Sequence, residues 1–267
     1  MKALFQFAYL QALSCIFPVI IFLTLAVSKF YPVPFLPRYD FILLICLISQ
    51  AFMLLAKLET VDELKVICMF HVIGLALELF KVHMGSWNYP EEGYSKFYGV
   101  PLYSGFMYAS VASYICQSWR RLNLQIKGWP LPVYVYSICI LIYLNFFTHH
   151  FLFDSRWILI FLLFPTFYKT VVYYEINKKV YKMPIILSYL LIGFFIWIAE
   201  NISTFFGAWQ YPNQEKTWSF VHLGKISSWF LLVIISIIIV AQLKRIKENQ
   251  TDDYPLPFDH KSELTQK

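Results

Sequence analysis

The chain has 267 residues, of which 59% are hydrophobic and 14% are charged, and its formal net charge is +6. A soluble domain carries about 25% charged residues, so a water-soluble fold of this length could not cover so much apolar surface. The basic residues lie in short clusters between apolar segments rather than on one face, which argues against a nucleic-acid-binding module.

Eight apolar segments follow one another along the chain. Each has the roughly 17–25 residues that a helix needs to cross a hydrocarbon core about 30 Å thick. Backbone polar groups in lipid must be satisfied within the segment, and the period-two alternation of a barrel is absent, so each segment is predicted to be a helix. The predicted spans are 4–27, 41–58, 66–84, 101–119, 132–151, 157–174, 184–206 and 218–243.

These segments predict an all-α fold, a polytopic membrane helix bundle with about eight transmembrane helices. The transmembrane domain is expected to occupy residues 1–247, and residues 248–267 are expected to form a disordered cytoplasmic tail because they are polar. Most lysines and arginines fall on the side that holds both termini, among them Arg120, Arg121 and Lys178. This bias predicts a multi-pass protein of the cell membrane with both termini in the cytoplasm.

One sequence pattern occurs twice, at a constant offset of 122 residues. The first copy is Glu78, Gly85, Trp87, Tyr89 and Pro90, and the second is Glu200, Gly207, Trp209, Tyr211 and Pro212. The copies end the third and the seventh predicted spans, so both are expected to emerge on the outer side. The pattern predicts two parallel four-helix repeats, about 1–123 and 124–247, related by an axis along the membrane normal.

Glu78 and Glu200 are the candidate catalytic residues. Each precedes its tryptophan by nine residues, which places it about 13 Å below the outer interface at 1.5 Å per residue. A carboxylate inside a span costs roughly 2.5–3.5 kcal/mol on insertion and usually marks a functional site that faces the bundle interior. Two such groups at equal depth predict a shared polar cavity. The alternative is a structural role, in which they form ion pairs or hydrogen bonds that lock the helices.

The candidate binding residues surround these two carboxyl groups. His71 and Lys81 lie on the helix face of Glu78, seven residues before it and three after it. Lys225 is placed at a similar depth in the last span and can pair with Glu200. The aromatic pairs of the two copies suit ligand contact and equally suit anchoring at the membrane interface. These pairs are Trp87 with Tyr89, and Trp209 with Tyr211.

A metal or cofactor site has little support in the sequence. His149, His150 and Asp154 are potential metal ligands, but no second cluster accompanies them. The chain lacks the histidine-rich pattern of membrane di-iron oxygenases, aspartate-rich pairs within the spans and a Gly-x-x-x-x-Gly-Lys phosphate loop. We therefore expect no metal and no cofactor, and neither ATP-driven transport nor metal-dependent prenyl transfer.

Two resemblances to known families add to this interpretation. The run FAYLQALSCIFP at residues 7–18, with the Glu…Gly-x-Trp-x-Tyr-Pro repeat, resembles the uncharacterised YoaT-like bacterial membrane proteins, the family of domain of unknown function 817. That resemblance covers almost the whole chain and implies a multi-pass cell-membrane protein without an established activity.

The residues Glu78, Gly85, Tyr89 and Gly99-Val100-Pro101-Leu102 are similar to the membrane carotenoid hydratases and lycopene-cyclase-like proteins. The second half has Val221-His222-Leu223 in place of the Gly-Val-Pro-Leu part. The second resemblance implies proton-driven chemistry on a polyene, with Glu78 as the acid.

Three functions remain open. The first is a membrane protein of uncharacterised function with a polar intramembrane cavity, and its sharper form is a cofactor-free enzyme doing acid/base chemistry on an isoprenoid or carotenoid. The second is a small-solute or proton-coupled transporter. The third is a structural or partner-binding subunit. The expected partners are the lipid bilayer and, for the first function, a lipophilic small molecule, but not nucleic acid; the sequence leaves the oligomeric state open.

Overall fold

A computed structural model describes residues 2–251, with side chains as far as residue 241. Nine α-helices form most of this range, which confirms the helical fold class. In chain order they are α1 (Lys2–Ser14), α2 (Ile16–Phe30), α3 (Arg38–Leu55), α4 (Val61–His83), α5 (Ser104–Arg121), α6 (Pro132–Thr148), α7 (Arg156–Phe167), α8 (Ile185–Phe205) and α9 (Lys225–Thr251). The predicted tail at 248–267 lies mostly outside the described residues, and its first four residues belong to α9.

Three of these helices, α3, α4 and α8, are long and apolar enough to cross a membrane. The predicted span 4–27 is instead divided into α1 and α2, which bend by 65° at the break and together would make a fourth span. Pro18 explains the break, because it has no N–H to donate to the carbonyl of Ser14. The helices α6, α7 and the first part of α9 are apolar but shorter. The count of eight spans therefore stays a prediction.

Short strands occur where the sequence predicted only helices and loops. A hairpin is formed by β1 (Lys96–Phe97) and β2 (Val100–Pro101), and an antiparallel sheet in the order β3-β4-β5 is formed by β3 (Gln125–Lys127), β4 (Val171–Ile176) and β5 (Lys179–Pro184). The predicted span 157–174 thus stops at Phe167 as a helix and continues into β4. Its last residues are apolar, but they are β-branched and aromatic, and such residues favour strands.

Two helix pairs, α4 with α5 and α8 with α9, pack closely through small residues. A Cβ atom added at Gly74 would lie 2.5 Å from the Tyr108 ring, and one added at Gly193 would lie 2.9 Å from the backbone nitrogen of Phe230. Membrane helices commonly approach one another through such small residues. The two pairs position the ends of α4 and α8, where the two copies of the repeated pattern lie.

Large apolar side chains cover the outside of the helices. Phe52, Phe161 and Phe195, on α3, α7 and α8, are 59%, 72% and 64% exposed. Soluble monomers rarely expose contiguous apolar patches larger than a few hundred Å². The exposed surface and the three long apolar helices both indicate association with a membrane.

Candidate functional site

Each copy of the repeated pattern ends its helix in the same way. Gly85 and Gly207 have φ angles of +67° and +72°. The N–H of Ser86 donates to the carbonyl of Lys81, and the N–H of Ala208 donates to that of Ser203, both at 2.9 Å. This is the Schellman geometry, which needs a left-handed residue and is adopted by glycine without strain. The shared pattern therefore has a shared local structure.

The segments that follow these two helix ends contact each other. Asn88 and Gln210 exchange two backbone hydrogen bonds of 2.9 Å and form an antiparallel bridge. The rings of Trp87 and Tyr211 pack edge to face with their centroids 5.9 Å apart. The pairing concerns only the helix ends, so the arrangement of the chain as two parallel four-helix repeats stays a prediction.

Glu78 is buried and accepts hydrogen bonds from three side chains. The Trp87 indole and the Tyr89 hydroxyl each donate to its Oε2 at 2.7 Å. The hydroxyl of Tyr108, on α5, donates to its Oε1 at 2.9 Å. The repeated pattern thus supplies two donors to its own glutamate, and the neighbouring helix supplies the third.

Glu200 is also buried and is held in a similar way. The Tyr211 hydroxyl donates to its Oε1, and the indole of Trp229, on α9, donates to its Oε2 at 2.8 Å. Trp209, the counterpart of Trp87, is buried beside Tyr211. Both glutamates therefore accept from a tyrosine hydroxyl and from an indole. The indole that reaches Glu78 belongs to the repeated pattern, whereas the one that reaches Glu200 belongs to α9.

Lys225 joins the two halves of this arrangement. Its ammonium group lies over the ring of Trp87, 5.0 Å from the centroid, and over that of Tyr211, 4.7 Å from the centroid. It also interacts electrostatically with both Glu78 and Glu200. Cations are attracted to the faces of aromatic rings. We call the set that Lys225 connects the paired-glutamate cluster; it comprises Glu78, Trp87, Tyr89, Tyr108, Glu200, Tyr211, Lys225 and Trp229.

Lys81 is buried next to this cluster and faces the end of α6. Its Nζ lies 2.9 Å from Nε2 of His150 and 3.3 Å from Nε2 of His149, and it donates to the carbonyl of Phe146 at 3.2 Å. It also lies 4.2 Å from the centroid of the Phe146 ring. Lys81, which was predicted to lie on the helix face of Glu78, thus makes its closest polar contacts with the end of α6.

His71 lies apart from the paired-glutamate cluster. Its ring packs against Phe106 with a centroid distance of 4.5 Å. A Cβ atom added at Gly105 would lie 2.8 Å from the same ring. His71 thus occupies the crossing of α4 and α5, two helical turns from Glu78.

The three potential metal ligands have other partners. Lys81 lies beside both imidazoles, and Asp154 forms an ion pair of 2.7 Å with Arg156. Within the part of the chain that the structure describes, no three histidine, cysteine or acidic side chains are arranged to hold a metal ion. Burial alone raises the pKa of Asp154, but hydrogen bonds from Arg156 and Asn145 and the charge of Arg156 hold that pKa below its usual range.

A cavity of about 1220 Å³ lies between the helices, and its wall is mostly apolar. It extends along α8 from Ile185 to Ser203, which at 1.5 Å per residue is about 27 Å. Polar side chains collect where the paired-glutamate cluster meets the start of α7. The polar lining includes Glu78, Lys81, Asn145, His149, Asp154, Arg156, Glu200 and Lys225.

Comparison with known proteins places this chain in a family. Residues 3–237 match the family model described as "Protein of unknown function (DUF817)". The chain belongs to the DUF817 family. A protein 63% identical to it over 247 residues, covering 92% of this chain and 94% of its own length, is "Uncharacterized protein YoaT" of Bacillus subtilis (strain 168). The resemblance to the YoaT-like family is thereby confirmed. No solved structure matches the DUF817 chain.

Sequence reasoning missed two donors of the DUF817 site, Tyr108 and Trp229. Both come from helices that follow the repeated pattern, and no fixed spacing links them to the glutamates. One signal was present for Trp229, since it lies four residues after Lys225 and hence on the same helix face. Tyr108 donates to Glu78 as Trp229 donates to Glu200, and the ring centroids of the two residues lie 6.5 Å apart.

Arg38, which is not part of the repeated pattern, supports the site of the DUF817 protein. Its guanidinium group donates to the carbonyl groups of Phe206 at 2.6 Å and Gly207 at 3.2 Å. It also forms an ion pair of 2.6 Å with Glu91. Arg38 therefore ties the end of α8 to the loop that follows the first copy of the pattern.

Proposed function

We propose that this DUF817 protein is a multi-pass protein of the cell membrane, with both termini in the cytoplasm, that binds a lipophilic molecule in the cavity lined by Glu78 and Glu200. One observation carries the proposal. The cavity combines a long, mostly apolar wall with buried carboxyl groups in its polar region.

The distribution of charge supports the membrane orientation. The sheet β3-β4-β5 and the turn within it expose Lys127, Lys178, Lys179 and Lys182. Positively charged loops of membrane proteins favour the cytoplasmic side. The copies of the repeated pattern, with their tryptophans and tyrosines, then lie toward the outer side.

The shape and lining of the cavity support a lipophilic ligand. Ligand sites are typically clefts of about 300–1,000 Å³ with apolar walls and a few polar groups that orient the ligand. Protein interiors are packed to crystal-like density and contain few voids larger than a water molecule. An apolar space of about 1220 Å³ is therefore expected to be filled by a molecule with a long apolar part.

Proton-coupled transport is a second candidate, and the position of Lys225 favours it. Ionisable groups inside a membrane often belong to proton relays. A lysine that interacts with two buried carboxyl groups can exchange a proton between them. This candidate predicts a proton flux in proteoliposomes, reported by a pH-sensitive dye, that Glu200→Gln abolishes; a flux unchanged in Glu200→Gln speaks against it.

The enzymatic alternative, protonation of a polyene by Glu78, stays a prediction with less support. Both oxygens of Glu78 already accept hydrogen bonds from Trp87, Tyr89 and Tyr108. A proton on Oε1 would require the Tyr108 hydroxyl to turn, and the carboxyl group would then have to release that proton toward the ligand. The carotenoid-type resemblance remains an expectation from the sequence.

Purification of the full chain in a mild detergent, followed by mass spectrometry of its organic extract, tests the proposal. We expect a lipophilic compound in constant ratio to the protein. Ala199→Trp, which fills the cavity beside Glu200, should remove most of it. Leu190→Trp, on the outer face of the same helix, is the matched control and should retain it. Equal amounts of bound compound in both variants, or none in the unaltered protein, would overturn the proposal.

A further inference from the structure

We propose that the lipophilic ligand carries an anionic group, a phosphate or a carboxylate, which is bound by Lys81, Arg156 and Lys225. This inference rests on the proposed function, because it names the chemical class of the molecule in the cavity. Three observations support it: the convergence of three cations, the neutral surroundings of Lys81 and the position of two helix starts.

The three cationic side chains come from three helices and line one cavity. Lys81 lies in the last turn of α4, Arg156 is the first residue of α7, and Lys225 is the first residue of α9. The Arg156 guanidinium group contacts the oxygens of Gly224 and Ser227 at 3.5 and 3.4 Å, so the starts of α7 and α9 touch. Arg156 and Lys225 have carboxylate partners, but their positive charges repel that of Lys81, and a bound anion relieves that repulsion.

Lys81 is only 4% exposed, and its contacts are with neutral groups. They are a backbone carbonyl, two imidazoles and two phenyl rings. Among the residues that the structure describes, no carboxylate forms an ion pair with Lys81 within 4.0 Å. A buried ammonium group without a counter-ion is costly, so an anion in the adjoining cavity would stabilise it.

The nearby acidic groups already interact with Arg156, with Lys225 and with aromatic donors, and none of them forms an ion pair with Lys81 within 4.0 Å in the described residues. Asp154 pairs with Arg156 through Nε at 2.7 Å. Glu78 and Glu200 accept from the aromatic donors and interact with Lys225. Among the residues that the structure describes, Arg156 forms its side-chain hydrogen bonds through Nε and Nη1. Its Nη2 is therefore available to bind an oxyanion. Planar guanidinium groups suit phosphate and carboxylate.

The starts of α7 and α9 add to the same preference. The aligned peptide dipoles of a helix give its start a partial positive charge, which favours anions within the first turn. The first N–H of α7 already donates to Asp154, and the first two of α9 donate to backbone carbonyls, so the contribution comes from the dipoles. From this region the cavity continues along an apolar wall toward Phe7 and Tyr174. One molecule with an anionic head and an apolar chain fits both parts, although a soluble anion beside an uncharged lipid offers the same chemistry.

A competition between two lipids tests the inference. The detergent-solubilised full chain is delipidated, exposed to equal amounts of dioleoylphosphatidylglycerol and dioleoylphosphatidylcholine, and the lipid retained is measured by mass spectrometry. We expect the anionic lipid to be preferred by about tenfold, the effect of one charge-assisted hydrogen bond. In a separate arm, inorganic phosphate is titrated while the melting temperature is followed.

The variants separate charge from fold. Lys81→Gln and Arg156→Gln should each bring the lipid ratio close to one, whereas Lys81→Arg should preserve it. Lys216→Gln, at an exposed lysine outside the cavity wall, is the control and should also preserve it. Arg156→Gln remains informative if the buried Lys81 position does not tolerate glutamine.

The outcomes distinguish this inference from the proposed function. Stabilisation by phosphate that depends on Lys81, without a preference between the lipids, supports the anion site and identifies a soluble anion as its source. Retention of both lipids at equal levels, with no effect of phosphate, overturns the anion site and leaves the lipophilic cavity standing. Failure to retain either lipid or any other lipophilic compound counts against both.

Discussion

At the scale of single residues, the chain holds two buried carboxyl groups with aromatic donors. After the left-handed Gly85 the chain is extended, so Trp87 and Tyr89, two residues apart, project from the same side. Both therefore reach Glu78 on the helix that has just ended. The intervening Asn88 pairs through its backbone with Gln210. The spacing of the repeated pattern is thus explained by one helix end that folds back on its own glutamate.

Removing the Glu78 carboxyl group should strongly destabilise the protein. Glu78→Ala leaves the buried donors of Trp87 and Tyr89 and the partly buried hydroxyl of Tyr108 without an acceptor, and each unsatisfied buried donor costs about 1–3 kcal/mol. Tyr89→Phe removes one hydrogen bond and is expected to cost only about 1 kcal/mol. Thermal unfolding in detergent micelles measures both, with the exposed Glu92→Ala as a control of unchanged melting temperature. A Glu78→Ala protein as stable as the control would show that these contacts do not hold the fold.

The ion pair of Asp154 with Arg156 should make stability depend on pH. Because the pKa of Asp154 is lowered in the folded protein, its contribution is complete above the unfolded pKa and is lost as the pH falls through the folded value. Near pH 6 the native protein is therefore expected to melt at a higher temperature than Asp154→Asn. This difference in melting temperature should shrink below about pH 4. A difference that stays constant over this range contradicts the assignment.

At the scale of secondary structure, the ends of α4 and α8 could be predicted from the sequence. The bend between α1 and α2, the strand β4 and the side chains that neighbouring helices contribute to the site could not. The paired Gly, Trp, Tyr and Pro positions indicated where α4 and α8 end, because glycine and proline act through local backbone geometry. The bend at Cys15 and the strand β4 were missed, since hydropathy measures polarity and does not separate a helix from an apolar strand. Tyr108 and Trp229 reach the glutamates only through packing between helices.

Substitution of the two helix-ending glycines should test the shared geometry. Gly85→Ala and Gly207→Ala place a side chain in a left-handed conformation, at a cost of about 1 kcal/mol each. Asparagine tolerates this conformation better, so Gly85→Asn should lose less stability than Gly85→Ala. Space around Gly85 is open, which separates backbone strain from steric clash at this position. Equal melting temperatures for the alanine and asparagine variants would exclude left-handed strain as the cause.

At the scale of the whole molecule, composition and hydropathy predicted a helical membrane protein, and family membership was recognisable from the N-terminal run and the repeat. The equal spacing of Glu78 and Glu200 from their tryptophans could be read from the sequence, and their common depth in a membrane stays a prediction. Their connection through Lys225 could be anticipated only as a pairing with Glu200, because the position of Lys225 depends on packing between helices, such as that of α8 against α9 at Gly193. The cavity follows from the arrangement of several helices and has no linear signature.

The proposed topology makes a prediction about access from the two sides of the membrane. Glu92 lies in the loop after the first copy of the repeated pattern, and Lys178 lies in the turn between β4 and β5; both are exposed. In intact cells a membrane-impermeant maleimide should label Glu92→Cys and should not label Lys178→Cys, because the positively charged turn is placed in the cytoplasm. Lys178→Cys should become reactive only after the membrane is made permeable, and the unaltered chain controls for its five native cysteines. Labelling of both positions from outside would place them on the same side, which is incompatible with the three membrane crossings that the proposed topology puts between them, by α5, α6 and α7.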